Sequence, residues 1–280
     1  MLVESRERER RGEGMIQRSD ESGTAEIRMA HEPANVLTVE FSDTLAAEFE
    51  RTRADDSVRA VVLTGTGSAF SAGVELFRVV DDGPTYVEAL LESLGTLFSM
   101  LRAFPKPLVA AVNGHAVAGG GVIACACDYR AMATGQGRIG LPELKVGVPF
   151  PAVALDIVRS AIPRRYQREI MLLGRLYDPE SAAERGLVDE IVPANELLDR
   201  ARAIALDLAS IPVATYSLTK RQLASGVGGA IDLEPELRSV WTADDTLEHI
   251  RGYLRRTHGR SSAARCLDRG GATAAFGSGC

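Results

Sequence analysis

Cysteine is scarce in this chain, at four among 280 residues. Cys125 and Cys127 sit in an apolar stretch and the other two lie near the C-terminus. This pattern fits neither a disulfide framework nor a zinc-ligand spacing, so reduced thiols and a cytoplasmic location are expected. Histidine is equally rare, with four residues and no metal-ligand spacing among them. A surplus of positive charge is missing too: the net charge is −6, whereas a nucleic-acid surface needs a basic stripe. No apolar run nears the ~18 residues of a spanning helix, and the first residues lack the apolar core of a signal peptide. Neither a metal, a nucleic acid nor a membrane is an expected partner. The phosphate-binding GxxxxGK[ST] pattern and the GxSxG nucleophile elbow are both absent. Gly65-Thr-Gly67 follows an apolar run, but Phe70 stands where a dinucleotide fingerprint needs its third glycine.

The chain does have the apolar and charged fractions of a soluble domain, at 45% and 25%. Residues 1–22 are charged and nearly free of apolar side chains, so they read as a tail that does not order itself. Residues 23–205 read as the core, 206–257 as a helical C-terminal region and 258–280 as a second loose tail. Within the core, Glu26–Ala30, Ala34–Val39, Arg59–Gly65, Leu108–Val112, Tyr129–Ala133 and Leu187–Val192 read as strands. Phe41–Asp55 reads as an amphipathic helix capped by Ser42 or Asp43, and Pro84–Phe104 as a long helix with proline in its first turn. Asp178 and Gly186 bracket a short helix. Strands alternating with helices give an α/β fold with mainly parallel pairing.

Three stretches stand out together. Phe70-Ser-Ala-Gly-Val-Glu-Leu76 follows the run RAVVLTG, and Asn113-Gly-His-Ala-Val-Ala-Gly119-Gly120-Gly121 follows LVAAV. The third, Gly140-Leu-Pro-Glu143, lies downstream of YRAMA. Two glycine-bearing loops at strand ends can each offer backbone N–H groups to one ligand atom. A helix opening at the glycine triplet adds unpaired N–H groups and about half a positive charge, a setting for an oxygen that gains negative charge. On spacing alone, the glycines serve equally well to pack a helix close against a sheet. His115, with no carboxylate near it in sequence, reads as structural.

Over roughly residues 24–256 the chain resembles the crotonase superfamily of enoyl-CoA hydratases and isomerases. The resemblance rests on FSAGVEL, AVNGHAVAGGG followed by CDYR, the Pro-Glu of LPELKVGV, and AAERGLVDEIV, with PANVL as a shortened N-terminal segment. It implies a crotonase-type spiral of strand–strand–helix turns with a helical C-terminal portion, assembled as a trimer or a dimer of trimers. It also implies an acyl-CoA substrate and no further cofactor. The thioester carbonyl would lie between the backbone N–H groups of Val74 and Gly120, and Val74, Glu75, Leu76 and Phe77 would line the acyl-CoA site.

One departure bears on the chemistry. Hydratases of this family carry two glutamates, one two residues after the triplet and one in the Pro-Glu motif. Glu143 keeps the second, but Ile123 takes the place of the first, and Val122 and Ala124 beside it are apolar too. Hydration needs both groups, whereas one carboxylate can move a proton from C2 to C4. A Δ3-Δ2 enoyl-CoA isomerase with Glu143 as acid/base is therefore the expected activity, with an apolar wall including Ile123 raising its pKa. Hydration, other enolate chemistry (hydrolysis, decarboxylation, carbon–carbon bond formation) and mere acyl-CoA binding stay open at this point.

Overall fold

Runs of β-branched and small residues form the centre of the fold. In the computed structural model, which describes residues 14–225, Ala60–Thr64 (β3), Leu108–Val112 (β5) and Tyr129–Ala133 (β7) lie side by side in parallel. Ile16–Glu21 (β1), Thr24–Met29 (β2) and Glu190–Val192 (β10) complete a six-stranded sheet in the order β1-β2-β3-β5-β7-β10. A smaller sheet of four strands runs Ala69–Ser71 (β4), His115–Val117 (β6), Ile139–Gly140 (β8), Leu176–Tyr177 (β9). The pairs β3–β4, β5–β6 and β7–β8 each step from the large sheet to the small one. This is the expected spiral.

Period-2 alternation decides which face each strand residue joins. Val61, Leu63, Leu108, Ala110 and Val112 enter the main core. Their neighbours Ala60, Val62, Val109 and Ala111 face a second core against the helix Leu197–Leu208 (α9). The first helix in the chain, Val39–Ala54 (α1), packs on the long helix Gly83–Arg102 (α3). Between these two comes the short helix Leu76–Asp81 (α2). The glycine triplet opens Gly119–Ala126 (α4), which is followed by Glu143–Val146 (α5) and Ala152–Ala161 (α6). Arg164–Leu173 (α7), Pro179–Glu184 (α8), α9 and Val213–Ser225 (α10) finish the described chain. Asp178 caps α8 by accepting from Ser181 N–H at 2.8 Å, as the sequence suggested.

Four sequence expectations need correction. The charged tail is shorter than 22 residues, because Ile16–Glu21 forms an edge strand on β2 through a two-residue turn. Ser22 and Gly23 both adopt positive φ there, at 52° and 80°, as that tight hairpin requires. Edge position explains how so polar a strand forms: only one side needs pairing, and Arg18 reaches Asp55 at 2.8 Å. Residues 34–39 form no strand; Leu37 makes a single bridge to Val74. The cap of α1 is Thr38, whose Oγ1 accepts from Phe41 N–H at 3.1 Å, while Asp43 instead accepts from Ser93. A boundary after residue 205 would cut through α9, which seals the outer face of the sheet. The part of the helical C-terminal region beyond residue 225 and the tail at 258–280 lie outside the described residues.

Asn35 fastens the segment before α1 to the small sheet. It is fully buried, with Nδ2 donating to Ala69 O and Phe70 O at 3.1 Å and Oδ1 accepting from His31 N–H at 2.9 Å. Asn35→Ala should lower the unfolding free energy by about 2–4 kcal/mol, since it orphans buried partners. Urea titration measures this; a change under ~0.5 kcal/mol would show that other contacts hold β4.

Candidate functional site

The site begins where α4 meets the strand edge of residues 71–75. Leu37 N–H donates to Gly73 O at 2.7 Å and Glu75 N–H donates to Leu37 O at 3.1 Å. Those two bonds use the groups flanking Val74, so the N–H of Val74 itself is directed away from Leu37. Gly73 has φ +86°, and a Cβ there would lie 2.7 Å from Val117 O. Gly120 is packed more tightly: a Cβ on it would sit 2.2 Å from Ser71 O. Close packing of helix on strand is thus realised. It also sets the first turn of α4, whose leading N–H groups have no intrahelical acceptor, beside Val74.

Ala118 precedes this turn at φ 50° and ψ −120°, a conformation a non-glycine residue holds only at a cost of about 1–3 kcal/mol. Its N–H donates to Gly140 O at 2.9 Å and its carbonyl accepts from Val122 N–H at 2.9 Å. The strained residue is therefore held from both sides.

A cavity of about 220 Å³ opens beside this junction. Val74, Leu76, Gly119, Val122 and Glu143 are on its wall, together with Leu90, Leu94 and Phe98 of α3 and Ala154 of α6. Among the described residues lining it, Glu143 is the only one with a polar side chain. Glu143 is 8% exposed and its Oε2 is buried with no hydrogen-bond partner. Burial pushes this carboxyl up to about 7, against a smaller opposing pull from a backbone hydrogen bond. A carboxyl in that range can both take and give a proton near neutrality.

Of the residues read from sequence, the cavity gathers Val74, Leu76 and Glu143. Gly120 is one residue beyond the lining Gly119, pressed on Ser71. Glu75 does not reach the cavity, because its side chain accepts from Phe77 N–H at 3.0 Å to cap α2. Phe77 points outward and is 81% exposed. Ile123 is fully buried in the main core and is not on the cavity wall. Val122, one helical turn from Gly119, supplies the apolar wall in its place. His115 lies on β6, outside the lining. Sequence reading missed the α3 stripe of Val87, Leu90, Leu94 and Phe98, because its helical spacing is also that of an ordinary core face.

A larger cavity of about 430 Å³ lies near α10, lined by Cys125, Cys127, Arg102, Arg130 and Lys220. Its cations are already matched: Lys220 with Asp128 at 2.9 Å, Arg130 with Asp189 at 2.9 Å, Arg102 with Asp156 at 3.0 Å. Burial raises both thiol pKa values there, which keeps them unreactive. The smaller cavity differs in carrying a buried carboxyl whose Oε2 has no hydrogen-bond partner among the described residues. Among the described residues, no group of His, Cys, Asp and Glu could hold a metal, and no helix is long and apolar enough to cross a membrane.

Comparison with known proteins places this geometry in context. A family model described as enoyl-CoA hydratase/isomerase matches residues 19–233. A putative enoyl-CoA hydratase of Thermus thermophilus is 35% identical over 246 residues, 84% of this chain and 96% of that protein. The mitochondrial enoyl-CoA delta isomerase 1 of Rattus norvegicus is 31% identical over 211 residues, 75% of this chain and 73% of the relative. Among solved structures, an enoyl-CoA hydratase/carnithine racemase of Magnetospirillum magneticum superposes with a TM-score of 0.77 at 26% identity, covering 86% and 93% of the two chains.

Removing the charge of Glu143 should stabilise the fold in a pH-dependent way. Its folded pKa of about 7 lies above the usual carboxylate value, so the folded state holds the proton more tightly than the unfolded chain. Stability from this group is thus complete below pH ~4 and is lost as pH rises to about 7. Glu143→Gln should be more stable than wild type by on the order of 3 kcal/mol at pH 8, at 1.36 kcal/mol per unit. The gap should close by pH 4. Equal gaps at both pH values in chemical denaturation would place the effect elsewhere.

Proposed function

Because this chain belongs to the enoyl-CoA hydratase/isomerase family, we propose that it binds acyl-CoA thioesters and moves a double bond from Δ3 to Δ2, with Glu143 carrying the proton. The observation behind this reading is that Glu143 is the one polar side chain among the described residues lining an otherwise apolar cavity. The thioester carbonyl sits between the N–H groups of Val74 and Gly120. As Glu143 takes a proton from C2, the C2–H electron pair spreads into a dienolate with its charge on the thioester oxygen. Those donors and the α4 dipole stabilise that charge, a contribution typically of about 10²–10³ in rate per donor. Glu143 then returns the proton at C4, and the carboxylate is restored.

Relatives carry both the hydratase and the isomerase name, so the choice between them rests on the cavity. A water held for attack at C3 needs two to four polar partners. The described lining offers one polar side chain, Glu143. Proton transfer between two carbons needs only one.

Purified protein given 3-enoyl-CoA and 2-enoyl-CoA in separate assays should isomerise the first much faster than it hydrates the second. Rapid hydration with no isomerisation would sink the assignment. Glu143→Gln should lower kcat by at least about 10²–10⁴ while acyl-CoA affinity is kept; a wild type that binds without turnover would instead be a binding protein. Since the base must be ionised, kcat should fall as pH drops through about 7.

A further inference from the structure

We infer that the cavity is a length gauge that accepts an unsubstituted acyl group of about six to eight carbons, with Phe98 and Ala154 at its closed end. The inference rests on the acyl-thioester reading above and adds which acyl group fits. Exposure along the wall gives the cavity a direction. Leu76, Leu91, Val146 and Val148 are 43–50% exposed and form its open rim. Leu94, Phe98, Val122 and Ala154 are 4% exposed or less and form its floor. The floor lies where α3, α4 and α6 pack on one another, so it is closed by three helices rather than by a loop.

Volume sets the limit. A methylene occupies roughly the ~30 Å³ of a liquid water molecule, so about 220 Å³ holds about seven carbons. Chemistry sets the selectivity. Apart from Glu143, every side chain of the described lining residues is apolar, so a hydroxyl or carboxylate on the tail would find no partner among them. A site of this kind rewards each added methylene until the floor is reached and then resists the next.

The test is binding of saturated acyl-CoAs from C4 to C14 by calorimetry, which needs no turnover. The dissociation constant should fall about fourfold per methylene, from ~0.8 kcal/mol per buried CH₂, up to about C8 and then stop falling. An ω-carboxylated C8 analogue should bind at least ~10-fold more weakly than octanoyl-CoA. Ala154→Leu should shift the best length down by two or three carbons and Phe98→Ala should shift it up. The two variants move in opposite directions, so one that fails to fold leaves the other to decide. Affinity that keeps rising to C14, or is indifferent to length, overturns the gauge, as does an unchanged optimum in a folded variant. The predicted length profile without isomerisation upholds the gauge and defeats only the isomerase reading.

Discussion

The structure around the site depends on how closely the first turn of α4 approaches the strand segment 71–75. A Cβ on Gly120 would lie 2.2 Å from a backbone oxygen of Ser71, and one on Gly73 would lie 2.7 Å from Val117 O. Backbone lies on both sides of each contact, so no side chain can give way. Any larger residue would push the helix off the strand and move its N–H groups away from Val74. The same approach strains Ala118, and the bonds from Gly140 and Val122 hold it in place. Packing and polar geometry are here one constraint. The glycines need no separate functional explanation to be required, and the donors they position come as a consequence of the packing.

Charge is sorted by side in this fold. Behind α4, Arg130 and Asp189 form a two-pronged pair at 2.9 Å, and Lys220 meets Asp128, which also accepts from Leu108 N–H. These pairs anchor strand ends and α10. On the cavity side the Oε2 of Glu143 has no partner among the described residues. Buried pairs spend their charge on each other, whereas an unpaired acid keeps its protonation open to change. The larger, more polar cavity is therefore the more structural of the two.

Legibility in the sequence followed physical distinctness. Strands β3, β5 and β7 announce themselves as short β-branched runs, since burial on both faces leaves no other composition. Strand β1 hid because an edge strand can be polar; the Ser22-Gly23 turn was its only local trace. Thr38 was overlooked as a cap since Ser42 and Asp43 are chemically as suitable, and only the backbone shows which residue is extended. The motifs singled out Val74 and Glu143, which line the cavity, and Gly120, which packs on Ser71. The α3 wall was not legible, because Leu90, Leu94 and Phe98 have the spacing of any core face and only an empty volume beside them tells cavity from core. Ile123 shows the finer limit: it and Val122 are neighbours in the sequence and both lie in the main core, but after a 100° step around the helix only Val122 also lines the cavity.

That step has an electrostatic consequence. Two carboxyls on one small apolar cavity would repel, and their titration would belong to the pair rather than to either group. With Val122 on the wall and Ile123 off it, no like charge stands beside Glu143 among the described lining residues, and desolvation leads the causes of its raised pKa. A single group displaced mainly by burial titrates in one step, and its position responds to anything that wets or dries the cavity. The protonation of Glu143 is therefore set by the same apolar side chains that give the cavity its shape.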